Sequence, residues 1–413
     1  MPSRILAVST RAQARKPTYC TRTAQSRQCS GWSVKVNSED RLNQHLRQLQ
    51  MLPSPCLVFV ENLLSDRLET LARILPMGTR LTFAMKAAYV EPVLEHIRNQ
   101  GHGLEVMTVG EWQTALALGY RPKDLIVNGM GRSIDQLLAI ASAGSFPVLG
   151  HGPELASWKQ HHRALEAETP AFGLRLWVPE LGARYQRFGI RIEDITQDSE
   201  ALQGLAGVTI HGWDEDATSD QIVQRITTIV EHLFAHDLLQ KGFTVDLGGG
   251  RRILQADMIP ALHQLASHYP KVIWALQPGR AIVEQAGIGL GSILTIEADR
   301  ITTDVSAAIL PPLSSQDYRP RLINDPHPDD VLQVFSLSDC LLAFDQLTVS
   351  PLLGNPQQVR AGDRILIERA GAYTTTFGCA SLGLSKPMVW WCPSGAARPI
   401  PLTRNDDGFW RIQ

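Results

Sequence analysis

No run of about eighteen apolar residues occurs in the chain, so no membrane-spanning helix is expected. Charge of one sign is also scarce. Lys and Arg number 39 and Asp and Glu 41, a formal net charge of −2. Such a chain has no global field to hold nucleic acid or an anionic membrane. Cysteine is limited to six scattered residues (Cys20, Cys29, Cys56, Cys340, Cys379, Cys392), none in a CxxC pair. That spacing argues against a structural zinc site or a disulfide framework and fits reduced thiols in the cytoplasm. The histidines, including His161 and His162, lack HExxH spacing, so no metal site is expected. No GxGxxG opens a strand–helix unit, and no solenoid-period repeat is present. Acidic residues are missing before Glu39, where residues 1–35 are basic and rich in Ser and Thr. Transit peptides have this composition, as do disordered tails and misassigned starts; the tail is the preferred reading.

What is present is a globular composition over 413 residues, 44% hydrophobic and 19% charged. That length exceeds one compact core and predicts two domains. Eight short apolar runs recur between 81 and 277: LTFAM, GLEVM, LIVNG, PVLG, FGLRLWV, GVTIHG, FTVDLG and VIWALQ. Segments of helical period lie between them, and two of these, YVEPVLEHIRNQG and EWQTALALG, end at glycine. Strand and helix alternating eight times predict an α/β fold, a (β/α)8 barrel rather than an open doubly wound sheet. GIGLG at 287–291 reads as strand packing, because no helix start follows it. Beyond 290, SILTIEA, RILIERAG and FWRIQ alternate as half-buried antiparallel strands do. The expected division is a tail (1–35), a barrel with its lead-in (36–290) and a smaller, mostly antiparallel β domain (291–413). The lead-in reads as a helix, then the strand CLVFVEN linking the two domains.

Chemistry in such a barrel belongs where strands end. AMKAAY (84–89) sets Lys86 at the end of the first run. A lysine there either snorkels at the rim or, desolvated, becomes a nucleophile. Gly248, Gly249 and Gly250 follow the seventh run, and Gly279 and Arg280 the eighth. Glycine loops let backbone N–H groups approach a phosphate, and phosphate sites after strands seven and eight recur in barrels. His211 ends the sixth run. It reads as a core histidine, a flat partner for an aromatic ligand or a proton carrier.

Together these segments resemble the fold type III (alanine-racemase-like) pyridoxal-phosphate enzymes, in the diaminopimelate/ornithine/lysine decarboxylase branch. The likeness covers about 55 to 390. AMKAAY resembles A-V-K-A-N, which implies that Lys86 carries the cofactor. GLEVMTVGE is similar to G-F-D-V-A-S-x-G-E, with Glu105 and Glu111 at its acidic positions, and LIVNGMGRS to I-x-x-N-G-x-x-K-S. LRLWV…RFGI resembles L-R-I-N-P…K-F-G-I through Arg175, Phe188 and Gly189. IHG matches the stacking histidine at His211. VDLGGG and QPGR match the phosphate loops, and GAYTTT carries the family tyrosine at Tyr373. SQDYRP resembles N-D-L-I-R-P, which implies that Arg319 meets a substrate carboxylate. DCLLAFD resembles a cysteine–acid motif reached across a dimer interface, giving Cys340 and Asp345.

The resemblance implies pyridoxal 5'-phosphate as cofactor, an amino acid as substrate, loss of carbon dioxide, and a homodimer with shared sites. Catalytic roles fall on Lys86, His211 and Cys340. Glu105, Gln277, Gly279, Arg280 and Tyr373 join the glycines around the cofactor. Some positions depart from the pattern. Where the family has glutamate in E-P-G-R, this chain has Gln277, a neutral partner for the pyridine nitrogen. H-I-G-S becomes His211-Gly212-Trp213-Asp214, and Leu341 rather than an acid follows Cys340. These departures leave a racemase or epimerase, or a non-catalytic paralogue, as alternatives to the decarboxylase.

Overall fold

The computed structural model describes residues 38–165, 170–178, 188–195, 202–213, 216–239, 242–307, 309–311, 318–324, 330–341, 346–378 and 387–413. The tail at 1–35, Asp214 and Asp345 lie outside them.

Helix α1 (Ser38–Gln50) leads into strand β1 (Cys56–Val60) and helix α2 (Glu61–Ile74). Eight parallel strands then close on one another in sequence order. They are β2 (Arg80–Ala84), β3 (Gly103–Val106), β4 (Leu125–Val127), β5 (Phe146–Leu149), β6 (Phe172–Leu176), β7 (Leu205–Ile210), β8 (Thr244–Asp246) and β9 (Ile273–Leu276), with β9 returning to β2 through Leu81↔Leu276. Each corresponds to one of the apolar runs. Strands buried under helices on one side and packed inside the barrel on the other need apolar residues at successive positions. Between them run α3 (Glu91–Asn99), α4 (Val109–Ala117), α5 (Ile134–Ser142), α6 (Gly152–Leu165), α7 (Ile192–Ile195), α8 (Ser219–Ala235) and α9 (Met258–His268). Polar side chains start several of them. Thr108 accepts from the Glu111 amide, and Ser133 with Gln136 and Thr218 with Gln221 form capping boxes.

The second sheet is built from β10 (Gly287–Glu297), β11 (Arg300–Thr303), β12 (Arg319–Leu322), β13 (Gln333–Ser338), β14 (Leu352–Gly354), β15 (Arg364–Glu368), β16 (Met388–Cys392), β17 (Ile400–Arg404) and β18 (Trp410–Ile412). Its pairings are mostly antiparallel. GIGLG lies inside β10, paired on one side with β15 and on the other with β1. Strand β1 belongs to this sheet, parallel to β16 through Cys56↔Met388. The chain therefore starts in the second sheet, winds the barrel, and returns. No described helix is long and apolar enough to cross a membrane.

Candidate active site

Strand β2 stops at Ala84, and Lys86 sits on the 3₁₀ turn Met85–Ala87 that follows. The Ala84 amide donates to the Pro278 carbonyl (3.3 Å), which joins this turn to the QPGR loop. Gly279 is required here. A Cβ on it would stand 2.9 Å from the Ala87 Cβ and 3.2 Å from that of Ala84. The GAYTTT segment locks on from the second sheet. The Tyr373 amide donates to the Ala87 carbonyl (2.7 Å) and the Thr376 hydroxyl to the Lys86 carbonyl (2.8 Å). Tyr373 adopts a left-handed φ of 68°, and its ring lies 5.1 Å from the Arg280 guanidinium carbon. Glu284 holds that guanidinium from one turn on, at 3.6 Å.

The Lys86 Nζ donates to Glu105 Oε2 at 2.6 Å, and Glu105 is 2% exposed. Burial works against the ammonium, but the Glu105 charge and hydrogen bond outweigh it, so the pKa of Lys86 is raised. Glu111 lies nearby. Its carboxylate accepts from the Met107 amide and from the Tyr89 hydroxyl, each at 2.5 Å, and burial raises its pKa.

His211 follows β7. Its Nδ1 accepts from the Gly249 amide (3.2 Å), which leaves the proton of the neutral ring on Nε2. Burial, with Arg175 and Lys86 adding their positive charge, lowers the ring to about 3. His211 is thus neutral around pH 7, which suits a flat wall better than a proton carrier. Gly249 has no room for a side chain against the Gln277 carbonyl. The Gly248 amide donates to Asp246 Oδ1 at 2.7 Å. Two of the three loop amides therefore brace the loop, and Gly250 stands exposed at its tip. Trp213 fixes the same loop from behind, its Nε1 donating to the Leu247 carbonyl at 2.7 Å.

Gln277 and Asp246 meet beneath the loop. Gln277 Nε2 donates to Asp246 Oδ2 at 2.5 Å, and both residues are 2% exposed. Burial pushes Asp246 up to about 7, helped by the Glu105 charge. Hydrogen bonds from Gly248 and Gln277, and the Arg175 charge, pull the other way. In register, Arg175, Thr209 and Asp246 lie side by side on β6, β7 and β8. Across the mouth, Asn128 Nδ2 approaches Gln277 Oε1 at 3.5 Å, and the buried Asn128 Oδ1 has no partner among the described residues. The motifs of the sequence assign no role to Asp246, Asn128 or Tyr89. The signal for Asp246 is a lone carboxylate inside an otherwise apolar strand run.

Two further expected residues belong to the second sheet. Arg319 pairs in register with Glu368, at the end of the second sheet that carries Tyr373, and is exposed. Cys340 lies further along the sheet, its Sγ 3.9 Å from the Asp304 carbonyl, while the Asp304 amide donates to the Ser292 carbonyl midway along β10. Ser292 is five residues along β10 from Gly287, which packs on the Tyr373 loop. Five strand residues span roughly 17 Å, so Ser292, and Cys340 with it, is set well along β10 from the Tyr373 loop. Burial and the neighbouring Asp339 raise the Cys340 thiol.

The profile of the family described as "Pyridoxal-dependent decarboxylase, pyridoxal binding domain" matches residues 62–284, more than half of the chain. Carboxyaminopropylagmatine decarboxylase of Synechocystis sp. is 26% identical, with 83% of this chain and 90% of that protein covered. Diaminopimelate decarboxylase of Zymomonas mobilis is 22% identical over 81% of this chain and 86% of its own length. The crystal structure of Helicobacter pylori diaminopimelate decarboxylase complexed with L-lysine superposes with a TM-score of 0.70 at 17% identity, covering 86% of this chain and 95% of the other. The arginine decarboxylase of Paramecium bursaria Chlorella virus gives 0.69 at 16%, covering 85% and 99%.

Proposed function

This chain belongs to the pyridoxal-dependent decarboxylases, and from that premise we propose that Lys86 is the residue to which pyridoxal phosphate is joined, with an amino acid decarboxylated at the mouth of the barrel. The residues present fit the cofactor. Lys86 offers an amine held by a buried carboxylate. Gly249 and Gly279, where a Cβ would strike the Gln277 carbonyl and the Ala87 methyl, let the two glycine loops pack closely beside Lys86 and His211. Arg280, held by Glu284 and overlain by Tyr373, supplies a cation for the phosphate at the same rim. Asn128 Oδ1 is an unused buried acceptor across the mouth from Gln277.

Pyridoxal phosphate, when bound, supplies the conjugated ring that accepts the electron pair left as carbon dioxide departs. The protein's part is placement. Glu105 orients the Lys86 amine and takes up its charge. Neutral His211, braced by the Gly249 amide, stands as a flat wall against the ring. Arg319 meets the substrate's carboxylate. Cys340, with Asp345, reaches the site from a second copy of the chain, so the working form is a homodimer with shared sites. The family match favours carbon dioxide loss over racemisation, and the convergence of three distant segments on the Lys86 turn carries the reading.

Borohydride reduction of the cofactor-loaded protein, followed by peptide mapping, should place the label on Lys86. Lys86→Ala should abolish both labelling and carbon dioxide release from candidate amino acids. Full activity in that variant would overturn the assignment.

A further inference from the structure

Gln277 occupies the place where the family resemblance calls for glutamate, yet a carboxylate is not missing. It lies one residue further back. Asp246, on the neighbouring strand, receives the Gln277 Nε2–H at 2.5 Å on one oxygen and the Gly248 N–H at 2.7 Å on the other. An amide that gives its NH2 group to a carboxylate must turn its carbonyl the other way. The Gln277 Oε1 accordingly faces across the mouth toward Asn128 on the loop after β4, a strand not adjacent to β9. The donor it meets there is the Asn128 amide at 3.5 Å, the outer limit of a hydrogen bond. The Asn128 Oδ1 beside it accepts nothing from the described residues. The mouth thus holds one buried acceptor with only a long contact, Gln277 Oε1, polarised by a buried carboxylate, and one with no partner among the described residues, Asn128 Oδ1.

We propose that Asp246 is a positioning residue that locks the Gln277 carboxamide with its oxygen toward the cofactor's pyridine nitrogen, so that this nitrogen keeps its proton and donates it to Oε1. The proposal rests on the reading of the site as a pyridoxal-phosphate site. The negative charge that balances the pyridinium is carried by Asp246 and transmitted through one amide. The reverse arrangement is chemically distinct. A protonated Asp246 would donate to Oε1, the Gln277 NH2 would turn inward, and the ring nitrogen would be held without a proton. The groups bearing on the choice are Glu105 and Lys86 at the ends of β3 and β2, Arg175 on β6, His211 after β7 and the Gly248 amide. A pyridinium beside Gln277 favours the ionised Asp246 in turn, so the two charges support each other.

The test is nitrogen-15 NMR of the holoenzyme reconstituted with ring-labelled pyridoxal phosphate. The wild-type resonance is expected at the position of a protonated pyridine at neutral pH; a neutral-pyridine resonance there overturns the proposal. Asp246→Asn offers one acceptor oxygen where the Gly248 and Gln277 donors need two, so its resonance should move toward neutral pyridine. The exchange D246N/Q277E should move it back. The amide introduced by D246N would then take the Gly248 N–H on its oxygen and donate its NH2 to the new carboxylate. A D246N resonance at the wild-type position, in protein that still binds cofactor, overturns the proposal. Borohydride mapping of the same samples separates the two readings. Label on Lys86 with an unprotonated ring nitrogen removes the Asp246 role alone, whereas an unlabelled Lys86 removes the site assignment as well.

Discussion

Single residues in the barrel mouth carry opposite pH signatures, which the intact protein conceals. Burial raises Asp246 to about 7 from an ordinary 3.8. The folded chain therefore holds a proton there that the unfolded chain has lost, and this contribution to stability falls as pH rises from about 4 to about 7. Burial lowers His211 to about 3 from 6.5. There the unfolded chain holds the extra proton, so stability rises with pH between about 3 and 6.5. The two slopes oppose each other across the shared window. Asp246→Asn should unmask the histidine, giving a steeper climb in the urea midpoint of the cofactor-free protein with rising pH. His211→Asn should do the reverse. Parallel midpoint-against-pH curves for wild type and D246N would show that Asp246 does not titrate differently in the two states. The sequence made the positions of Lys86, His211 and the glycine loops legible, because each is a polar or small residue closing an apolar run. It could not pair Gln277 with Asp246. Asp246 ends β8 and Gln277 follows β9, 31 residues apart in sequence, and only the register of β8 against β9 brings the side chains together.

At the scale of elements, the site is a knot of four segments, and its tightest crossing is testable. The QPGR loop lies against the AMKAAY turn with no clearance at Gly279, whose φ of −102° would suit any residue. Space alone selects glycine there, since a Cβ would stand 2.9 Å from the Ala87 Cβ and 3.2 Å from that of Ala84. Gly279→Ala should cost about 1–3 kcal/mol of stability, as overpacking typically does. It should also weaken cofactor binding by parting Arg280 from Lys86. Ala87→Gly, which removes the opposing methyl, should recover much of the loss in the double variant. Urea denaturation of the three variants measures this, and unchanged stability in G279A would mean the loop yields freely. Such crossings explain which elements could be read in advance. Eight continuous apolar runs announced the barrel strands, because parallel strands are buried on both faces. The run CLVFV read as a strand linking the two domains, and β1 pairs with β10 and β16 in the second sheet. Its partner β16 lies about 330 residues further along the chain, and no local pattern encodes such a pairing.

The molecule as a whole leaves the proposed chemistry divided. Lys86 lies against the Tyr373 loop at the start of β10, and Cys340 lies beside Asp304 and Ser292, near the middle of that strand. A second copy can join them only if the sheet presents a surface for it. Val334 and Leu353 stand directly opposite each other on β13 and β14, exposed at 57% and 47%, with Val331 and Val349 also exposed. Apolar side chains in register at a sheet margin favour burial against a partner. If Cys340 serves the Lys86 of the other subunit, Lys86→Ala and Cys340→Ala damage different halves of each composite site. A heterodimer of the two variants then contains one site with both lesions and one with neither. Mixing the separately inactive or impaired proteins after mild dissociation should therefore restore a fraction of wild-type carbon dioxide release. Recovery should rise with time as subunits exchange, and covalent crosslinking of the chains before mixing should prevent it. If heterodimers form and no activity returns, Cys340 acts within its own chain or not at all. Cys340 would then be a structural thiol, which its burial-raised pKa already suits.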